Sequence, residues 1–159
     1  MLMRKKSPRE SIVEMTELVL PNDTNLLGNL LGGRLMHLVD VAGAMAAQRH
    51  CNRTVVTACI DSVEFKHPVK QGQMIMLKAR VTWVGRTSME VLVEVYSEDF
   101  LTGERKFTNR AYLTFVAVDQ NGKPVEVNGL LLETEEDRKE YEAAEKRRCE
   151  RLRRKDTSS

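Results

Sequence analysis

The 159-residue chain reads as an α+β domain in which an antiparallel sheet curls around one buried helix. Three observations predict this. The segment 33–49 is apolar on nearly every side, several later segments alternate apolar and polar residues with period two, and short turns rather than helices separate those segments. One strand, one helix and then successive strands is an α+β order, not a βαβ repetition.

Taken in order, Ile12 to Leu20 carries Ile12, Val13, Met15, Leu18, Val19 and Leu20 among polar residues and ends at Pro21, which cannot extend a ladder, so it predicts a first strand. Asn22 to Gly33 is a loop rich in Asn and Gly. The helix Gly33 to Arg49 follows, with no polar stripe, so other structure must wrap it. Its small residues Ala42, Gly43, Ala44, Ala46 and Ala47 allow a sheet to approach closely, although Gly43 costs the helix up to about 1 kcal/mol.

Val55 to Phe65 predicts a shorter strand. Alternation is clearest where Ile75, Leu77, Ala79, Val81 and Trp83 interleave with polar residues, and it returns at Met89 to Val95 and Phe107 to Ala117. Turn residues at Gly72, Gly85, Gly103 and Asn121-Gly122 make the connections hairpin-like and the sheet antiparallel. From Thr134 a capping-box pattern with Asp137 opens a charged segment, which reads as a second, exposed helix. The organisation expected is an N-terminal extension at 1–11, one folded domain at 12–133, and a charged helix and tail at 134–159.

A 42% hydrophobic, 30% charged composition supplies both a core and solubility. The formal net charge of +2 gives no global field toward nucleic acid or an anionic membrane. The basic tail, Lys146 to Lys155, reads as a solvated helix end. Cys51, Cys59 and Cys149 have no paired spacing, which argues against a disulfide framework or a zinc site and for a reducing compartment. No apolar run approaches the roughly 20 residues of a membrane span, and no signal peptide follows the basic start, so a cytoplasmic protein is expected.

Among residues able to do chemistry, Asp40 stands out, because a carboxylate on a helix apolar all round must lose solvent unless something pairs with it. His37, one turn earlier on the same face, offers a mundane partner. The alternative is that Asp40 faces a cleft beside the Gly32-Gly33 turn, where unsatisfied N–H groups at the helix start form an oxyanion site. Asn25 either holds a water or carbonyl oxygen or makes an Asx-turn. His50 and His67 lack partners at ligand spacing, and no supported Ser or Cys nucleophile is evident.

The run Leu20-Pro21-Asn22-Asp23-Thr24-Asn25, then Gly28, Gly32-Gly33, and Asp40 followed by Ala42-Gly43, resembles the signature of hotdog-fold acyl-CoA thioesterases. Phe65-Lys66-His67-Pro68-Val69, Gly85-Arg86-Thr87-Ser88-Met89-Glu90, Leu101-Thr102-Gly103 and Thr108-Asn109-Arg110-Ala111 resemble the cytosolic acyl-CoA hydrolase branch, including its small bacterial members. The likeness covers roughly Ile12 to Glu145.

The resemblance implies an antiparallel hotdog sheet around a long central helix and hydrolysis of fatty acyl-CoA to a fatty acid and CoA. It implies Asp40 as the catalytic carboxylate, Asn25 acting opposite it across a dimer interface, and the Gly33 amide polarising the thioester carbonyl. Gly32, Val56, Thr57, Ala58, Arg86, Thr87 and Ser88 match positions around the CoA groove. No cofactor is implied, CoA being part of substrate and product. A homo-oligomer of at least a dimer is implied, with relatives resembling trimers of dimers. One departure is Leu31, where family members commonly carry His or an aromatic residue; it bears on acyl-chain preference. A non-catalytic acyl-CoA sensor is the alternative from another class, and a hydroxyacyl dehydratase, which would need a His in the loop before Gly33, is a further one.

Overall fold

A computed structural model describes residues 3–61 and 66–157. After a 3-10 turn at Pro8–Ser11 come β1 (Val13–Leu18), a second 3-10 turn at Pro21–Asp23, α1 (Gly32–Cys51), β2 (Thr54–Ile60), β3 (Met74–Val84), β4 (Ser88–Glu98), β5 (Arg105–Val118) and α2 (Glu135–Thr157). The strands form one antiparallel sheet in the order β1-β3-β4-β5-β2, so β1 and β2 are its edges. The first strand is shorter than its apolar pattern implied, ending at Leu18 rather than Leu20. The strand expected to run to Phe65 ends at Ile60, and the rest of that stretch, 62–65, lies outside the described residues.

Period two places Ile75, Leu77, Ala79 and Val81 of β3, Met89, Val91, Val93 and Val95 of β4, and Ala111, Leu113, Phe115 and Ala117 of β5 on one face, where they pack with Leu35, Leu38, Val39, Ala42, Ala46 and Ala47 of α1. Each fully buried Val or Leu side chain there contributes roughly 1.5–3 kcal/mol. A Cβ at Gly43 would sit 3.0 Å from the Phe115 ring, so the residue that weakens the helix is what lets it approach β5.

The helix is not buried all round, contrary to its pattern. His37 and Gln48 are exposed, and Met36, Asp40, Val41, Ala44 and Met45 are half-buried in a single chain. This face lies beside the open edge of β2, where Val56 is 49% exposed and Thr57 and Ala58 are exposed. Apolar residues on a face that one chain leaves uncovered are what made the helix read as fully buried.

The second helix also departs from expectation, because one side of it docks on the outer face of the sheet. Its capping box forms as predicted: the Asp137 N–H donates to Thr134 Oγ1 at 3.1 Å, and the Thr134 N–H donates to Asp137 Oδ2 at 3.2 Å. Beyond the cap, Ala144 is buried, Arg80 of β3 pairs with Glu140, and Arg147 lies 3.7 Å over the Tyr112 ring. Arg147 also makes a two-pronged bond to Glu90, which is 1% exposed and additionally accepts from Thr82 at 2.7 Å. Leaving such a carboxylate buried without its guanidinium costs about 3–5 kcal/mol. Part of the basic tail is therefore an anchor; Arg151 likewise meets Asp61 at 3.0 Å, just past the end of β2.

Candidate active site

Asp40 lies on the uncovered face of α1, and its Oδ1 accepts a 2.6 Å hydrogen bond from the Thr57 hydroxyl of β2. The partner that satisfies the carboxylate is thus on the neighbouring edge strand; His37, the helical neighbour, is exposed. Thr57, matched by sequence to the CoA groove, is thus also the hydrogen-bond partner of Asp40. The pairing of β2 with β5 has a register irregularity at this point, between Thr57 and Cys59.

The Asn25 loop is held by its own side chain. Asn25 Oδ1 accepts from the N–H groups of Leu27 at 2.9 Å and Asn29 at 3.1 Å, so the Asx-turn reading is correct for the oxygen. Two N–H donors on one side-chain atom fix it as the oxygen, so Nδ2 takes no part in holding the turn and remains available to a ligand. The loop is also tied to the start of α1, where the Leu31 N–H donates to the Asp23 carbonyl at 2.8 Å.

At that start, Leu31 occupies the N-cap and supplies no side-chain hydrogen bond, and the first turn holds no acidic residue. The first intrahelical bond is donated by the Leu35 N–H, to Leu31, which leaves the amides of Gly32, Gly33 and Arg34 with no carbonyl of their own helix to bond. A Cβ on Gly33 would meet nothing within 4 Å, so its approach is open. Such a terminus carries about half a positive charge from the aligned peptide dipoles. Gly33 and Asp40 are two turns apart, about 10 Å along the axis.

The other residues matched by sequence to a CoA groove lie in β2, the β3–β4 turn and the start of β4. The register sets Ser88 and Val56 on either side of Val116, in one row across β4, β5 and β2. Arg86 lies in the β3–β4 turn with its side chain 83% exposed and 3.5 Å from Glu126. Thr87 accepts the Ala117 N–H through its carbonyl at 3.0 Å. Among the described residues, no hydrogen bond or ion pair joins the Asp40–Thr57 pair to the Asn25–Gly33 group.

Residues 27–103 match the thioesterase superfamily. A Bacillus subtilis (strain 168) protein named uncharacterized acyl-CoA thioester hydrolase YkhA is 46% identical over 147 residues, spanning 92% of this chain and 86% of that protein. The chain belongs to the thioesterase superfamily. Among solved hotdog-fold thioesterases, an apo-hexameric acyl-CoA thioesterase superposes with a TM-score of 0.90 at 44% identity, covering 95% of this chain and 97% of that one. An acyl-CoA hydrolase from Staphylococcus aureus, solved with butyryl coenzyme A, coenzyme A and coenzyme A disulfide, gives 0.86 at 36% identity over 97% and 96% of the two chains.

Variants of the same Staphylococcus enzyme have been solved with alanine in place of one asparagine, one aspartate and one threonine. In that thioesterase the aspartate lies 15 residues after the asparagine and the threonine 17 after the aspartate, the spacing of Asn25, Asp40 and Thr57 here. Sequence reasoning missed the bond from Thr57 to Asp40, since nothing in β2 alone tells which side of the edge strand meets the helix.

Proposed function

We propose that this thioesterase hydrolyses fatty acyl-CoA to a fatty acid and free CoA, at a site built from two subunits of a homo-oligomer. The observation that carries the reading is Asp40, a half-buried carboxylate on an uncovered helix face, held by a 2.6 Å bond from Thr57. With one oxygen fixed, the other is free to take a proton from a water that attacks the thioester carbon, or to attack that carbon directly and give a mixed anhydride that water then cleaves. In either route the C–S bond breaks, CoA leaves as the thiolate, and the thiolate takes up the proton released by water. The Gly33 N–H stabilises the negative charge that develops on the carbonyl oxygen. The Asn25 Nδ2 amide orients water or substrate.

The roughly 10 Å between Gly33 and Asp40 on one helix supports a shared site, in which Asn25 and Gly33 of one subunit face Asp40 and Thr57 of another. The open β2 edge supports pairing with the same strand of a second copy, because an unpaired ladder beside an apolar helix face is a template for edge-to-edge association. Leu26 and Leu27, next to Asn25, are 106% and 84% exposed, which fits burial against the partner or the acyl chain. A trimer of such dimers is the assembly proposed. The Gly32 turn, Val56, Thr57 and Ala58 of β2, and Arg86, Thr87 and Ser88 form the CoA groove within the 12–133 domain.

The route uses a carboxylate, water and amide donors and calls on no cofactor. Among the described residues, no helix is long and apolar enough to cross a membrane. A cytoplasmic location is proposed from the three free cysteines, which suit a reducing compartment, and the small net charge of +2 fits the absence of nucleic acid or membrane partners.

The test is thiol release from acyl-CoA substrates of graded chain length, with the native chain and Asp40→Asn. The native chain turns over a subset of them, with Leu31 bearing on which. The variant loses about a hundred- to ten-thousand-fold in kcat while still binding CoA. Near-native hydrolysis by Asp40→Asn overturns the assignment, and acyl-CoA binding with no turnover by the native chain points to a sensor.

A further inference from the structure

Arg34 is out of place by the ordinary logic of helix ends. It lies in the first turn of α1, where a cation meets the positive end of the helix dipole, and the same turn has no acidic residue to offset it. Its guanidinium instead reaches back across the preceding loop. Nε lies 3.3 Å from Asp23 Oδ1, and a terminal nitrogen donates to Glu17 Oε2 of β1 at 3.1 Å.

Asp23 is the hub of the loop that carries Asn25. Its Oδ2 accepts the Leu20 N–H at 3.0 Å, its carbonyl accepts the Leu31 N–H at 2.8 Å, and its own N–H donates to the Leu20 carbonyl at 2.9 Å. Arg34, itself the residue immediately after Gly33, therefore joins the end of β1 and the loop that carries Asn25 with one planar group.

We propose that Arg34 is the positioning residue that fixes the Asn25 amide relative to the Gly33 N–H, so that the loop half of the site reaches the thioester already in register. The proposal rests on the hydrolytic reading above. Arg34 and Glu17 are each more than a third solvent-exposed and Asp23 only 19%, and ion pairs of this kind contribute little to folding. Positioning is far more sensitive, since a displacement of about 1 Å in a catalytic group lowers turnover on the order of a hundredfold. The two roles thus predict different outcomes for the same substitution.

The experiment uses the full chain in its native assembly, with thiol release from a saturating acyl-CoA series and kcat and KM separated. Arg34→Ala lowers kcat roughly 10- to 100-fold, leaves KM within about threefold, and leaves the assembly intact with Tm within roughly 3 °C of native. Arg34→Lys retains the charge without the planar fork and recovers only part of the loss. Millimolar guanidinium restores part of the turnover of Arg34→Ala and none to Asn25→Ala. Asp23→Asn breaks the bridge from the loop side while keeping the turn acceptor; it reproduces the kcat loss and adds little in combination with Arg34→Ala.

Turnover by Arg34→Ala within threefold of native, with Asp40→Asn inactive, overturns the positioning role and leaves the hydrolase reading intact. A fall in Tm that tracks the loss of kcat, with no rescue by guanidinium and a fully active Asp23→Asn, overturns it in favour of a structural role. Full activity of Asp40→Asn overturns the hydrolytic reading itself.

Discussion

Replacing Thr57 by valine removes one hydroxyl and keeps the shape and strand preference of the side chain, which isolates its bond to Asp40. The bond is 2.6 Å from hydroxyl to carboxylate, in the range of charge-assisted hydrogen bonds. Such bonds contribute about 1.5–3 kcal/mol, and the exposure of Thr57 in the single chain argues for the lower half of that range. About 1.5–2 kcal/mol corresponds to a fall of roughly 10- to 30-fold in kcat, if the hydroxyl holds Asp40 in its reactive orientation. Thiol release under saturating acyl-CoA reads kcat, and its dependence on substrate concentration separates out KM. Thr57→Ser keeps the donor and stays within a few-fold of native. Thr57→Val with a kcat within twofold of native, at unchanged Tm, would refute the orienting role.

Two further predictions concern the frame around the site. Burial of Asp137 raises its pKa, but the Arg9 side chain and the N–H groups of Glu133 and Thr134 outweigh that and lower it from 3.8 to about 2. The folded form thus favours the carboxylate, so this stability is present above the unfolded value of 3.8 and is lost as pH falls toward about 2. With Arg9 46% exposed, the expected contribution is about 1–2 kcal/mol. Thermal unfolding from pH 5 to 2 shows a shallower acid decline for Asp137→Asn than for the native chain, and parallel curves contradict the assignment. A Cβ at Gly85 would lie 2.6 Å from the Trp83 ring and 3.1 Å from Ser88 Oγ. Gly85→Ala therefore destabilises by about 1–3 kcal/mol in thermal unfolding, and an unchanged Tm would show that the ring yields freely.

The central strands were legible because their periods are regular and their turns carry glycine. Gly72, Gly103 and Gly122 do adopt positive φ. The capping box at Thr134 was legible for the same local reason. What escaped depends on distant pairing. Glu90 reads as an ordinary polar position on β4, and only the docked Arg147 shows why a carboxylate is buried there. Asp40 was singled out for the right anomaly but with the wrong cause. Its helix appeared polar nowhere because the face beside it carries Met36, Val41, Ala44 and Met45, which are only half-buried, and the carboxylate itself is half-buried and bonded to Thr57. The Asn25 loop was read as two competing roles, yet its oxygen builds the turn while its amide is left over.

The central claim is a hydrolytic site shared between subunits, and mixing two inactive variants tests it most directly. Asn25→Ala and Asp40→Asn chains are unfolded together and reassembled in equal amounts, and thiol release from acyl-CoA is measured against each variant reassembled alone. In a two-fold dimer, a mixed pair restores one intact site of its two, so random reassembly returns roughly a quarter of native turnover. Recovery near that level supports Asn25 and Asp40 acting from different chains. A mixed sample no more active than its two parents, in assemblies verified to contain both chains, contradicts it.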